Sequence, residues 1–280
     1  MLNRNLALVG DTEKITPAQL TKVGAALQKQ ATRDFGPLWG VEANVSAFAK
    51  LEDIPTDYWP IIVRDDINTP GAAGVHEDKN GQPFALVQFS DDWPLTASHE
   101  TLEMLADPFG NRVVAGKSPK PGQGRVNFLV EVCDPCEDRQ FAYTVNGVTV
   151  SDFYTPHFFD PVTESSVRYS YTGALKGPRK ILTGGYLSWG VPQTNEWFQM
   201  IWFDTAKPVF RSLGVLSGKM RGSLRATIDR LTPTPLETIK LPEKSPLMAA
   251  ARDAFEEVGD SSVARAKFLR KQIEEIKKAK

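Results

Sequence analysis

The sequence predicts an α+β fold with a β-rich C-terminal region and a C-terminal helical tail. Two stretches, 17–33 and 94–107, read as helices. Short apolar runs of strand length lie between and after them, separated by Gly, Pro and Asn. The Gly-, Pro- and aromatic-rich stretch from 160 to 215 reads as irregular β structure.

Thr16-Pro17 places a hydroxyl N-cap before a proline at the first helical position. Leu20, Val23, Ala26, Leu27 and Gln30 follow at helical spacing, so the pattern predicts a helix over 17–33, ended by Phe35-Gly36-Pro37. Residues 39–48 alternate apolar with small or polar side chains, as a half-buried strand does, and 58–63 predicts a more buried one. The polar, Gly-rich segment 66–82 predicts a loop turning at Lys79-Asn80-Gly81. Residues 84–89 predict a third strand, with the helix 94–107 directly after it.

Gly110, Gly116, Pro119, Pro121, Gly122 and Gly124 mark 109–124 as a loop. Val126 to Val132 is apolar and strand-like. Strands around 141–145 and 148–153 flank Asn146-Gly147, a strong hairpin signal. Pro233, Pro235, Pro242 and Pro246 mark 232–246 as a linker. Ala264, Phe268, Leu269, Ile273 and Ile276 form the apolar stripe of a tail helix. The expected organisation is a metal-site domain at 1–160, a β-rich aromatic region at 161–245 packed on it, and a helical tail at 246–280.

The 280 residues suffice for one large or two small domains with a real core. With 41% hydrophobic and 24% charged residues, the composition is that of an ordinary globular protein. A formal net charge of -1 argues against a nucleic-acid partner. The first eleven residues lack the long apolar region of a signal peptide. No apolar run approaches the ~20 residues that span a bilayer. The expectation is a soluble chain without a membrane span, cytoplasmic by default. Cys133 and Cys136 form a single C-x-x-C with no second pair to complete a zinc site, and read as two thiols or a local disulfide bracing a turn.

The segment Ser98-His99-Glu100-Thr101-Leu102-Glu103-Met104-Leu105-Ala106-Asp107-Pro108 carries the chemistry. It reads H-E-x-x-E on a short helix with a proline stop. A helix turns about 100° per residue, so His99, Glu103 and Asp107 lie along one face. An imidazole and a carboxylate one turn apart can share a metal. Glu100 sits off that row, where a general base takes a proton from water and delivers it to a leaving amine. Zinc is the expected cofactor; the carboxylate-rich set also suits harder divalent ions.

A third ligand is needed, and Asp107, Glu131, Asp134, Glu137, His76 and His157 are candidates. Glu131 is preferred because it emerges from the apolar run Asn127–Val130, with Asp134 three positions later as its support. Asp107, beside Pro108, is expected to orient the site or the following loop. His76 reads as a surface or loop-bracing residue and His157 as a packed one. The competing reading is an ordinary amphipathic helix, with Glu131 far from His99.

These pieces resemble a zincin-like metallopeptidase set, in its H-E-x-x-E variant, that includes uncharacterised bacterial proteins and, distantly, plant exordium-type proteins. The matching residues are Ser98-His99-Glu100, Glu103, Asp107-Pro108, Gly110-Asn111, Glu131-Val132-Cys133-Asp134-Pro135-Cys136 and Val150-Ser151-Asp152-Phe153. The resemblance covers roughly residues 40–160. It implies a zincin-like fold with His99, Glu103 and Glu131 at the metal and Glu100 as base. It also implies that the strand before the metal helix forms the cleft edge, which places Phe84, Ala85, Leu86 and Val87 against an extended peptide. The chain departs from the active peptidases in carrying Glu103 where they have a second histidine. The expected function is a metal-dependent peptidase acting on a peptide or protein. The alternative is a catalytically inactive zincin-fold binding or structural component, with the tail helix docking to a protein partner.

Overall fold

The run Leu6-Ala7-Leu8-Val9 is apolar without alternation, which suits a strand covered on both faces. In the computed structural model, which describes residues 3–69, 71–79, 81–216 and 222–232, it forms the centre of β1 (Asn3–Asp11). Thr16 caps α1 (Pro17–Lys29) through a capping box with Gln19. The helix does not stop at 33. It widens into π turns over Gln30–Phe35 and a short α2 (Gly36–Trp39), and ends where Gly40 takes the left-handed conformation. Next come β2 (Glu42–Phe48), β3 (Tyr58–Arg64), β4 (Gly74–Lys79), β5 (Gln82–Gln88) and α3 (Trp93–Ala106).

These strands form one sheet in the order β2-β1-β3-β5-β4. The first four run parallel, and β4 pairs antiparallel to β5. Side chains alternate between two apolar layers. Leu6, Leu8, Ile61, Val63, Ala85 and Val87 face α1 and α3, while Ala7, Val9, Ile62, Phe84 and Leu86 face a second cluster with Ile54 and Ile67.

Two expectations change here. The segment 66–82 is not all loop, because β4 lies within it. And Phe84, Ala85, Leu86 and Val87 do not form an edge: β5 is paired on both sides, and all four side chains are buried. The edge positions belong to β2 and β4, and β4 is the one beside β5.

The chain continues through β6 (Val113–Lys117) and β7 (Arg125–Leu129), then the hairpin β8 (Tyr143–Val145) and β9 (Val148–Val150). The segment 109–124 therefore also contains a strand. The 160–215 stretch supplies β10 (Tyr186–Val191), β11 (Glu196–Ile201) and β12 (Val209–Val215). A second, antiparallel sheet has the order β12-β11-β10-β7-β6. The last described helix is α4 (Leu224–Leu231), capped by Ser223. Helix and strand are thus mixed in several sheets, and one apolar cluster runs from Leu6 to Met200. The expected linker beyond 232 and the tail helix lie outside the described residues. Among the described residues, no helix is long and apolar enough to cross a membrane.

Candidate metal centre

Helix α3 packs against β5 and the β8–β9 hairpin, and polar contacts fix its rotation. Ser98 Oγ donates to Gln30 Oε1 at 2.7 Å and accepts from the Ser151 amide at 2.9 Å. Gln30 Nε2 donates to the Ser151 carbonyl at 2.9 Å. With Ser98 held inward, the next turns direct His99, Glu100 and Glu103 to the space between β4, the segment after β7, and α4.

His99 Nε2 lies 3.3 Å from Glu103 Oε1 and 3.2 Å from Asp134 Oδ1. The ligand atoms of these three residues lie within 4.8 Å of one another. Glu103 and Asp134 are buried, while the His99 side chain keeps 13% exposure, so the group borders solvent on one side. Asp134 arrives on the turn Cys133–Cys136, closed by a Cys136 amide to Cys133 carbonyl bond of 2.9 Å. The Cys133 amide donates to Glu103 Oε1 at 3.2 Å. Both thiols are free and buried, so the C-x-x-C braces this turn without a disulfide.

A second group shares Glu103. His76 Nδ1, on β4, lies 3.4 Å from Glu100 Oε2 and 3.6 Å from Glu103 Oε2. These three residues also bring ligand atoms within 4.8 Å of one another. His76 is buried at the site, not on a surface loop as its sequence context suggested. Its Nε2 lies 3.2 Å from the Asp107 carbonyl. The Asp107 carbonyl can only accept at that contact, and Nδ1 faces the Glu100 and Glu103 carboxylates.

Arg225 enters this second group from α4. Its Nη1 donates to Glu103 Oε2 at 2.7 Å and contacts His76 Nδ1. Its Nε lies 3.4 Å from Glu131 Oε1 and 3.5 Å from Asp229 Oδ2, and its Nη2 lies 4.0 Å from Glu100 Oε2. The loop after α3 seats it. Asp107 carboxylate oxygens accept the amides of Asn111 (3.1 Å) and Arg112 (2.7 Å). Asn111 Oδ1 then accepts the Leu224 amide at 2.9 Å, and the Gly110 carbonyl accepts the Arg225 amide at 2.9 Å. Gly110 has φ +58°, and a Cβ there would stand 2.8 Å from Ser223 Oγ. Glycine is required for that close approach.

Of the residues singled out from sequence, His99 and Glu103 come together with Asp134. Glu131 faces Arg225, Glu100 faces His76, and Asp107 holds the 110–112 loop. His157 is exposed and pairs with Asp160 at 2.8 Å. Arg225 was not anticipated; an arginine in a short capped helix carries no local sign of burial.

The electrostatics are those of a buried acid cluster. Burial opposes charge on His99, but Glu103 and Asp134 raise its pKa well above the usual imidazole value. Burial would raise Glu103, yet His99 and Arg225 hold it well below the glutamate range. Burial and neighbouring acids push Glu131, Asp134 and Glu137 upward. Both Asp134 oxygens, Glu131 Oε1 and the Tyr154 hydroxyl are buried without an oriented hydrogen bond to a described residue. Such groups are uncommon in folded proteins because desolvation goes uncompensated.

Neither family models, nor curated proteins, nor solved structures match this chain. Its function has to be read from the site itself.

Proposed function

We propose that the chain holds a divalent metal ion, zinc first among the choices, between His99, Glu103 and Asp134, and serves as a zincin-like, metal-dependent peptidase. One observation carries this reading: three ligand atoms lie within 4.8 Å of one another, and both Asp134 oxygens are buried with only the His99 ring, 3.2 Å from Oδ1, beside them. A cation at that point would add to the partial compensation that His99 gives Asp134 and that Arg225 and the Cys133 amide give Glu103. Asp134 takes the ligand role that the sequence favoured for Glu131, and Glu131 balances Arg225.

When bound, a divalent ion supplies Lewis acidity to a scissile carbonyl and makes water a better acid. The chain's own residues do the rest. Glu100, one position along α3 from His99, accepts a proton from the attacking water at a carboxylate oxygen and returns it to the leaving amine. The free side of β4 suits an extended peptide, which would gain main-chain pairing there. The buried cluster keeps bulk water away from these charges.

A second reading has specific support. Arg225 lies against Glu103 and near Glu100, which favours a metal-holding or charge-neutralised scaffold that binds a partner without hydrolysis. Metal analysis of the purified chain, with wild type and Glu100→Gln compared on a general protein substrate, separates the two. Stoichiometric metal with Glu100-dependent cleavage supports the peptidase. Metal without cleavage supports the scaffold. Absence of metal from the folded chain overturns the metal centre itself.

A further inference from the structure

We infer that Glu103 can bridge two cations, and that the Arg225 guanidinium fills a second cation position formed by His76, Glu100 and Glu103. The inference rests on the metal centre proposed above and adds a second site beside it.

Glu103 divides its two oxygens. Oε1 faces His99 at 3.3 Å and accepts the Cys133 amide, while Oε2 faces His76 at 3.6 Å and Arg225 at 2.7 Å. A carboxylate with one oxygen turned to each of two histidine–carboxylate groups has the arrangement of a bridging ligand in paired-metal sites. The second group has its own ligand chemistry. A metal-binding histidine typically donates its remote ring N–H to a backbone carbonyl, which fixes the tautomer that turns a lone pair to the ion. His76 is placed for this, with Nε2 3.2 Å from the Asp107 carbonyl and Nδ1 3.4 Å from Glu100 and 3.6 Å from Glu103. The ring is 2% exposed, so Nδ1 is not directed at solvent.

A positive group already occupies the position. Arg225 is 5% exposed and reaches Glu103, Glu131 and Glu100 together. Its Nε and Glu131 Oε1, 3.4 Å apart, lack oriented hydrogen bonds to described residues, so the guanidinium satisfies the pocket's charge better than its geometry. Beyond the single directed bond from Nη1 to Glu103 Oε2, the guanidinium supplies charge without directed bonding, which a compact divalent ion would improve. Arg225 also comes from a helix seated by the Gly110 carbonyl and the Asn111 side chain rather than from the sheet. Withdrawal of α4 exposes the second position and leaves His99, Glu103 and Asp134 in place. The number of cations held is therefore tied to the docking of α4.

The test is metal stoichiometry on the full chain, using Mn2+ as the probe. Wild type is expected to hold one ion, Arg225→Gln two, and Arg225→Gln with His76→Ala one. The two-ion form should show an exchange-coupled manganese resonance signal that the other forms lack. Should Arg225→Gln not fold, Gly110→Val unseats α4 while every carboxylate stays, and the same counts apply. One ion in wild type and one in the released variants overturns the second position and leaves the first intact. No ion in any folded form overturns the metal centre on which both depend.

Discussion

Arg225 Nη1 and Glu103 Oε2 meet at 2.7 Å across 122 positions of sequence. Both side chains are buried. Glu103 is thus the acid on which His99, the Cys133 amide and Arg225 all converge. Breaking a buried ion pair by removing one partner leaves the other charge uncompensated.

Glu103→Gln should therefore destabilise the fold by about 3–5 kcal/mol, measured by denaturant unfolding of the metal-free chain. A cost below about 1 kcal/mol, the range of exposed pairs, would show that Arg225 and His99 find other partners.

The pH dependence of the metal-free chain has a definite sign. His99, Glu131, Asp134 and Glu137 all have pKa values raised in the folded state. They hold protons that the unfolded chain releases, so their contribution to stability is lost as pH rises. Glu103 is depressed and acts oppositely: its contribution is present above the ordinary glutamate range and fades in acid. Stability should fall as pH rises above the ordinary carboxylate range, and saturating zinc should flatten the fall by replacing those protons. Unfolding curves above that range are the measurement. A metal-free chain that grows steadily more stable toward alkaline pH contradicts the assignment.

Gly74 sits where β4 crosses α3. A Cβ there would stand 2.7 Å from Glu100 Oε1 and 2.7 Å from Thr96 Cγ2. Gly74→Ala should force β4 away from α3 and cost about 1–3 kcal/mol. Ions bound between His99, Glu103 and Asp134 should be unaffected, because β4 contributes none of those ligands. Thermal melts and metal counts on the same preparation check both parts. An unchanged melting point means the strand already has room.

Cys133 and Cys136 are buried free thiols, and burial raises both pKa values well above the usual thiol value. A thiol reagent should label neither in the native chain and both in denaturant. Rapid native labelling of either would mean that the turn carrying Asp134 opens.

Much of the fold was legible because its signals are local. The Thr16-Pro17 helix start, the apolar runs of β3 and β5 and the Asn146-Gly147 turn each act within a few residues. His99 and Glu103 were legible for the same reason, being one helical turn apart. Other features were hidden by their dependence on distant partners. β4 is an edge strand rich in polar residues, and its Gly and Asp content reads as loop. β6 was masked in the same way: Gly116 looks like a loop glycine, but it leaves room for the Phe128 ring, which a Cβ would approach to 3.0 Å. Arg225 had no local signature at all, because its burial comes from the docking of α4 on Gly110 and Asn111. That Asp134 lies beside His99 depends on the bend of the Cys133–Cys136 turn, which spacing along a strand does not encode.

The position of β1 has a consequence for how the chain reaches this arrangement. β1 precedes β2 and β3 in the sequence yet lies between them, and its parallel pairings cannot form by a simple reversal of the chain. The β4–β5 pair, by contrast, joins neighbours in sequence. Assembly should therefore proceed from local hairpins toward the long-range closure of β1, which makes the insertion of that strand a slow step. Until it closes, the Leu6–Val9 run remains uncovered, and the nascent chain is most vulnerable to aggregation in that interval.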